Sequence, residues 1–255
     1  MFFLKRFIPI ITPLLVFLTL EFFYLKPDFI YFFILALLII ISAGTWRIIG
    51  KGLVTLEARW FYLLTPLSFI VSGLLFILFI ENFFAKHLLT LALSLFWGIF
   101  LENIYTYIYR HEKYQINSLE NISNYLNLSS VFFLNSSLFG FFVFLNTPLW
   151  QLSLISLFAS LVLTFQIIWV NKIKPSVALL HLVVICLVLF ETFWTVSFLP
   201  TAYFVNGLIV TIIFYFLNNI MRLRLTGRLS KMLVRRYIIL CGLIMIVLLV
   251  TAKWI

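Results

Sequence analysis

Three ionisable side chains stand inside apolar stretches of this chain: Glu102, His181 and Glu191. A charge near the centre of a bilayer costs at least about 2.5–3.5 kcal/mol on insertion scales, so each needs a compensating partner or a use. Glu102 falls in the inner half of the fourth apolar stretch and His181 near the inner end of the seventh. At similar depths, a carboxylate and an imidazole can pair if their helices touch. Glu191 falls deeper, in the outer half of the seventh stretch, with no basic residue at its depth. The expectation there is a neutral carboxyl, which can donate a hydrogen bond, hold two helices together, or load and release a proton. Trp194 and Thr195 lie one turn on and share its face, whereas the ten residues back to His181 turn that ring about 80° away. Glu21 and Glu81 stand close enough to the outer interface to be solvated, and His87 opens the fourth stretch there.

The elements that must position these groups are membrane helices. The chain is 64% hydrophobic and 10% charged, against about 25% charged residues in a soluble domain. Its apolar runs are continuous and close to the length of about 20 residues that crosses a bilayer as a helix, whereas barrel strands alternate over about 10. Hydropathy places spans at Phe7–Leu25, Phe29–Thr45, Trp60–Ile80, His87–Tyr109, Tyr125–Leu145, Leu149–Val170, Val177–Phe198, Tyr203–Leu217 and Tyr237–Ala252. The fold class is therefore all-α: a polytopic transmembrane bundle of about nine spans, forming a single integral membrane domain over residues 1–255. The first run lacks a small-residue cleavage site and is followed at once by a second span, so no cleavable signal is expected.

Charge sets the orientation. Fifteen of the 18 Lys and Arg fall on one set of alternate loops, and only Lys26, Lys86 and Lys253 on the other. The positive-inside rule then puts the N-terminus in the cytoplasm and the C-terminus outside, in the cell's inner (plasma) membrane. Trp46, Trp60 and Trp254 fall at the expected interfaces. The net charge of +10 reflects these loops and not a nucleic-acid partner. Met221 to Arg236 is the strongest basic feature, with Arg222, Arg224, Arg228, Lys231, Arg235 and Arg236 among Leu and Met and no acid. It should lie partly in the headgroup layer and contact anionic lipid on the cytoplasmic side, besides fixing topology. The segments 47–59 and 110–124 are read as shorter interfacial helices on the same face.

The strings Phe100-Leu101-Glu102-Asn103-Ile104 and Phe216-Leu217-Asn218-Asn219-Ile220 recur at an offset of 116 residues, and a shift of 116–120 lays the first four spans over spans five to eight, with Pro27 near Pro148. This suggests a 4+4+1 arrangement with half-repeats 1–113 and 114–236 and an extra terminal helix over 237–255. In topology it resembles the membrane prenyltransferases of the UbiA superfamily, which pair two four-helix bundles with a ninth helix. That resemblance would imply Asp-rich, Mg²⁺-binding motifs after spans two and six. Here those places read Ser42-Ala43-Gly44-Thr45-Trp46-Arg47 and Gln166-Ile167-Ile168-Trp169-Val170-Asn171, and the only Asp is Asp28. The chemistry does not carry over. In overall character, including the stretch Glu191 to Gly207, the chain resembles uncharacterised multi-pass membrane proteins of small-genome candidate-phylum bacteria, which implies no known activity.

Span five is unusually polar, with Asn127, Ser129, Ser130, Asn135, Ser136 and Ser137, and Ser136-x-x-x-Gly140 is a small-xxx-small pattern that lets helix backbones approach. Cys186 and Cys241 both sit inside spans and read as packing residues, not as a disulfide or metal pair. No Lys lies within a span, so a retinal Schiff base is not expected, and one well-embedded His does not make a bis-His haem. No P-loop, Gly-x-Ser-x-Gly or intramembrane Asp pair occurs, and neither a metal nor a cofactor is implied. The reading these residues favour is a non-enzymatic carrier or binder of a lipid or amphipathic solute, with Glu102, His181 and Glu191 as its polar groups. The alternatives are a structural or assembly subunit docked to a protein partner, and an intramembrane enzyme acting on an isoprenoid or lipid.

Overall fold

The computed structural model describes residues 2–50 and 56–254. Lys51 and the middle of the 47–59 segment lie outside them. Among the described residues run nine helices: α1 (Phe2–Leu25), α2 (Ile30–Ile49), α3 (Leu56–Ile77), α4 (Phe83–Tyr109), α5 (Ser118–Leu145), α6 (Leu149–Val170), α7 (Pro175–Val196), α8 (Tyr203–Leu225) and α9 (Lys231–Thr251). All nine are long and apolar enough to cross a membrane. The protein is a multi-pass membrane protein.

Helices extend beyond several of the hydropathic spans. α5 begins at Ser118, seven residues before Tyr125, and α8 runs on to Leu225. Hydropathy marks where a helix meets lipid, but backbone hydrogen bonding continues into the headgroup layer. For the same reason, Met221 to Arg236 is not a separate interfacial segment. It is the last turns of α8 and the first turns of α9, joined by a short turn. Gly227 permits that turn with φ +68°, a left-handed conformation that a Cβ disfavours. The Arg228 amide then reaches back to the Leu223 carbonyl at 2.9 Å and closes the helix end.

Local chemistry sets the other boundaries. The Asn82 side chain accepts the Ala85 amide at 3.1 Å and starts α4, and the Ser230 hydroxyl accepts the Leu233 amide at 3.3 Å and starts α9. Pro175 occupies the first turn of α7, where its missing N–H costs nothing. Before α5, the Tyr114 hydroxyl accepts the Leu119 amide and donates to Glu120 Oε2, both at 3.1 Å. Burial pushes the Tyr114 phenol above its usual pKa, and the neighbouring Glu120 carboxylate adds to this.

The chain divides into two compact units, Met1–Asn127 and Leu128–Ile255. In the first, α1 packs against α2 and α4, α2 against α3 and α4, and α3 against α4. In the second, α7 packs against α6 and α8, and α9 lies against α8. The second unit's core gathers Val131, Phe139, Leu189, Phe193, Val210 and Phe214, with Phe139 and Phe193 stacked at 4.4 Å between ring centres. α9 is peripheral, with Cys241 its only buried residue.

Candidate binding groove

α1 and α4 run antiparallel. Lys5 Nζ donates to Tyr109 Oη at 2.8 Å near one end of the pair. Near the other, His87 Nδ1 meets Glu21 Oε2 at 2.7 Å. Between these two ties the helices meet where Gly98 faces Pro13. They leave a groove of about 540 Å³, lined mainly by Pro9, Pro13, Leu14, Leu95, Gly98 and Glu102. That volume lies within the range of about 300–1,000 Å³ typical of small-molecule sites.

The groove follows from residue types on both walls. Pro9 and Pro13 sit inside α1, one turn apart. Pro13 has no N–H to give the carbonyl of residue 9, so that acceptor is released from the helix ladder. Membrane helices tolerate this where other groups can serve the freed carbonyl. Gly98 of α4 stands opposite. A Cβ there would come within 3.1 Å of Pro13 Cγ and 3.5 Å of the Pro9 carbonyl oxygen. Ser94 lies one turn from Gly98 and turns its hydroxyl onto the Thr90 carbonyl at 2.8 Å, which spends its donor within α4.

Glu102 lies one turn beyond Gly98 on the same face and lines this groove. Its side chain is exposed, and no described basic group pairs with it. α4 has 27 residues, about 40 Å of helix, longer than the hydrocarbon core of about 30 Å. Glu102 stands seven residues from its end, about 10 Å in. In a centred helix the carboxylate falls near the hydrocarbon boundary.

The other sequence candidates lie elsewhere. Glu102 belongs to the first unit, and His181 and Glu191 to the second. His181 is half-buried on α7, and its Nδ1 is buried without a hydrogen-bond partner. Glu191 is exposed on the same helix, about 15 Å further along. Trp194 and Thr195 are exposed beside it, and the Thr195 hydroxyl donates to the Glu191 carbonyl at 2.6 Å. Of the basic residues, Arg222 donates to Asn219 Oδ1 at 3.0 Å. Arg224, Arg228, Lys231, Arg235 and Arg236 are all exposed. Lys231 and Arg235 help line a shallow hollow with Leu229, Val234 and Ile238.

Several residues that build the groove were not candidates from sequence. Ser94-x-x-x-Gly98 is the same small-xxx-small pattern noted in span five, and Pro9 and Pro13 share its four-residue spacing. Those spacings were the available signal. Glu21 and His87, each expected at the outer interface, pair with one another across α1 and α4. In the structure the Tyr24 ring stands edge-on to His87 at 5.3 Å, and its hydroxyl hydrogen-bonds to Thr90. At the Ser42–Arg47 position, Gly44 lets α1 approach, since a Cβ there would stand 3.1 Å from Thr12 Cγ2.

No protein-family model matches the chain, and comparison with curated proteins and with solved structures found no significant match. Of the resemblances drawn from sequence, the nine membrane-spanning helices are what stands.

Proposed function

We propose that this membrane protein is a non-enzymatic binder or carrier of a lipid or other amphipathic solute. The observation that carries this reading is the α1–α4 groove: an open apolar surface groove with a carboxylate at one end. Apolar lining with a few placed polar groups is the general design of a small-molecule site. The lining offers contact area and one charge, which hold a ligand and by themselves make or break no bond.

The basic turn between α8 and α9 fits the same reading. On the orientation set by the positive-inside rule it faces the cytoplasm. Anionic headgroups are attracted there by about 1 kcal/mol per base, which would concentrate lipid at that surface. Glu102 falls toward the same side. His181 and Glu191 belong to this proposal as further intramembrane polar groups.

The test is native mass spectrometry of the full chain released from mild detergent, with Leu95→Trp as the probe. Leu95 is 57% exposed and lines the groove, so the larger ring fills space without disturbing the core. The expected result is one retained amphiphile of defined mass on the wild type and none on the variant. Bare protein, or mixed bulk lipid that Leu95→Trp leaves unchanged, would sink the proposal.

A further inference from the structure

The groove's polar groups share one property: they accept and do not donate. The Glu102 carboxylate lines it without a described partner. The carbonyl of Pro9 borders it beside Gly98, one turn from Glu102, and Pro13 cannot cap that carbonyl. The one hydroxyl in the lining, that of Ser94, gives its proton to Thr90. The nearby lysine, Lys5, is directed to Tyr109 both by hydrogen bond and over the ring face at 5.0 Å. Arg6 is exposed in the same part of α1.

Among the lining groups, a phosphate or carboxylate headgroup brought to this point would meet only acceptors. A neutral hydroxyl would satisfy one of them. A protonated primary amine satisfies both, because it carries three donors and the charge that Glu102 lacks. The rest of the lining, from Leu91 to Ile99 on α4 and from Ile10 to Phe17 on α1, is apolar except for Ser94. Leu91 to Glu102 spans about 16 Å of helix, room for one extended alkyl chain lying along the helices.

We infer that the α1–α4 groove selects a single-chain cationic amphiphile, an alkyl chain ending in a primary ammonium group held by Glu102 and the Pro9 carbonyl. This rests on the reading of the groove as an amphiphile site and names the ligand class that it takes. The chain is buried in the apolar part, and the ammonium sits at the hydrocarbon boundary. An aminophospholipid fits less well, because its phosphate would lie beside the same two acceptors.

The full chain in mild detergent would be titrated with dodecylamine, dodecyltrimethylammonium, dodecanol and dodecanoate, reading bound mass by native mass spectrometry. Dodecylamine should bind one to one, about tenfold more tightly than dodecanol, which corresponds to about 1.4 kcal/mol. The trimethylated head, which has charge but no N–H, should fall between them, and dodecanoate should bind least. Glu102→Gln should erase the advantage of the amine and leave dodecanol unchanged. Equal binding of amine and alcohol, or an amine preference that survives Glu102→Gln, overturns the ligand class. If Leu95→Trp still displaces dodecanol in that case, the groove remains an amphiphile site of another specificity. If Leu95→Trp displaces nothing, the groove reading fails with it. Tighter binding of phosphatidylethanolamine than of dodecylamine, lost in Glu102→Gln, would replace the single-chain amine by an aminophospholipid.

Discussion

The two units differ in which polar residues tie their helices together. In the first, which also buries Thr45, Thr65, Ser72, Thr90 and Ser94, ionisable residues stand along the α1–α4 pair: Lys5 on Tyr109, Glu21 on His87, and Glu102 at the groove. Between those ties Gly98 lets α1 and α4 approach, and the groove runs along the surface beside that contact. In the second, the interior relies on small neutral residues. Ser136, Ser137, Ser153, Ser156, Ser160 and Thr164 are almost wholly inaccessible, and Ser156 donates to Asn135 Oδ1 at 2.7 Å. A hydroxyl or amide can bond a carbonyl of its own helix, as Ser137 does with Phe133 at 2.6 Å, so it can be buried at small cost. A carboxylate cannot, so it stays where a partner, water or a ligand can reach it. Small neutral residues therefore serve where backbones meet in the interior, while ionisable ones tie helices at more accessible positions.

Gly207 on α8 is the sharpest test of that contrast. A Cβ there would stand 2.6 Å from the Ser136 amide nitrogen and 2.7 Å from its Cα. These are backbone atoms and cannot swing aside, so Gly207→Ala should destabilise the second unit by about 3 kcal/mol. Unfolding followed by detergent-compatible calorimetry would read it. A change below about 0.5 kcal/mol would mean that the α5–α8 approach is looser than described.

The Asn135–Ser156 bond comes next. A double-mutant cycle with Asn135→Ala and Ser156→Ala should give a coupling of about 0.6 kcal/mol, and no more than about 1.7, as for other interhelical hydrogen bonds in membrane proteins. Zero coupling would reduce that bond to incidental contact. In the first unit, Gly98→Ala should cost much less than Gly207→Ala, under about 1 kcal/mol. Its Cβ would meet a proline ring carbon at 3.1 Å, and the open groove beside it lets α1 give way. A loss as large as that of Gly207→Ala would erase the difference between the units.

Much of the architecture was legible in advance. Each helix carries its own apolar run, so nine spans could be counted from local composition, and the basic loops separated cleanly onto alternate connections. Helix ends were less legible, because Ser118 to Asn124 and Asn218 to Leu225 are too polar for a hydropathic span yet helical in hydrogen bonding. The candidate site was legible in part. Glu102 stood out because a carboxylate within an apolar run is expensive wherever it points. The residues that build the groove around it did not stand out, because Pro, Gly and Ser within a span are ordinary taken singly.

The sequence by itself determined what each segment is: which stretches are membrane helices, where charge concentrates, and that Glu102, His181 and Glu191 lie within apolar stretches. That information is local, since transfer free energy depends on the residues within one helix length. Only the tertiary structure decided which segments are neighbours. It set Pro13 of α1 against Gly98 of α4, 85 positions away, brought the Pro9 carbonyl up to that helix, and placed Ser136 against Gly207. Those pairings depend on how side-chain volumes fit across two helices, and no property of either helix alone encodes that fit.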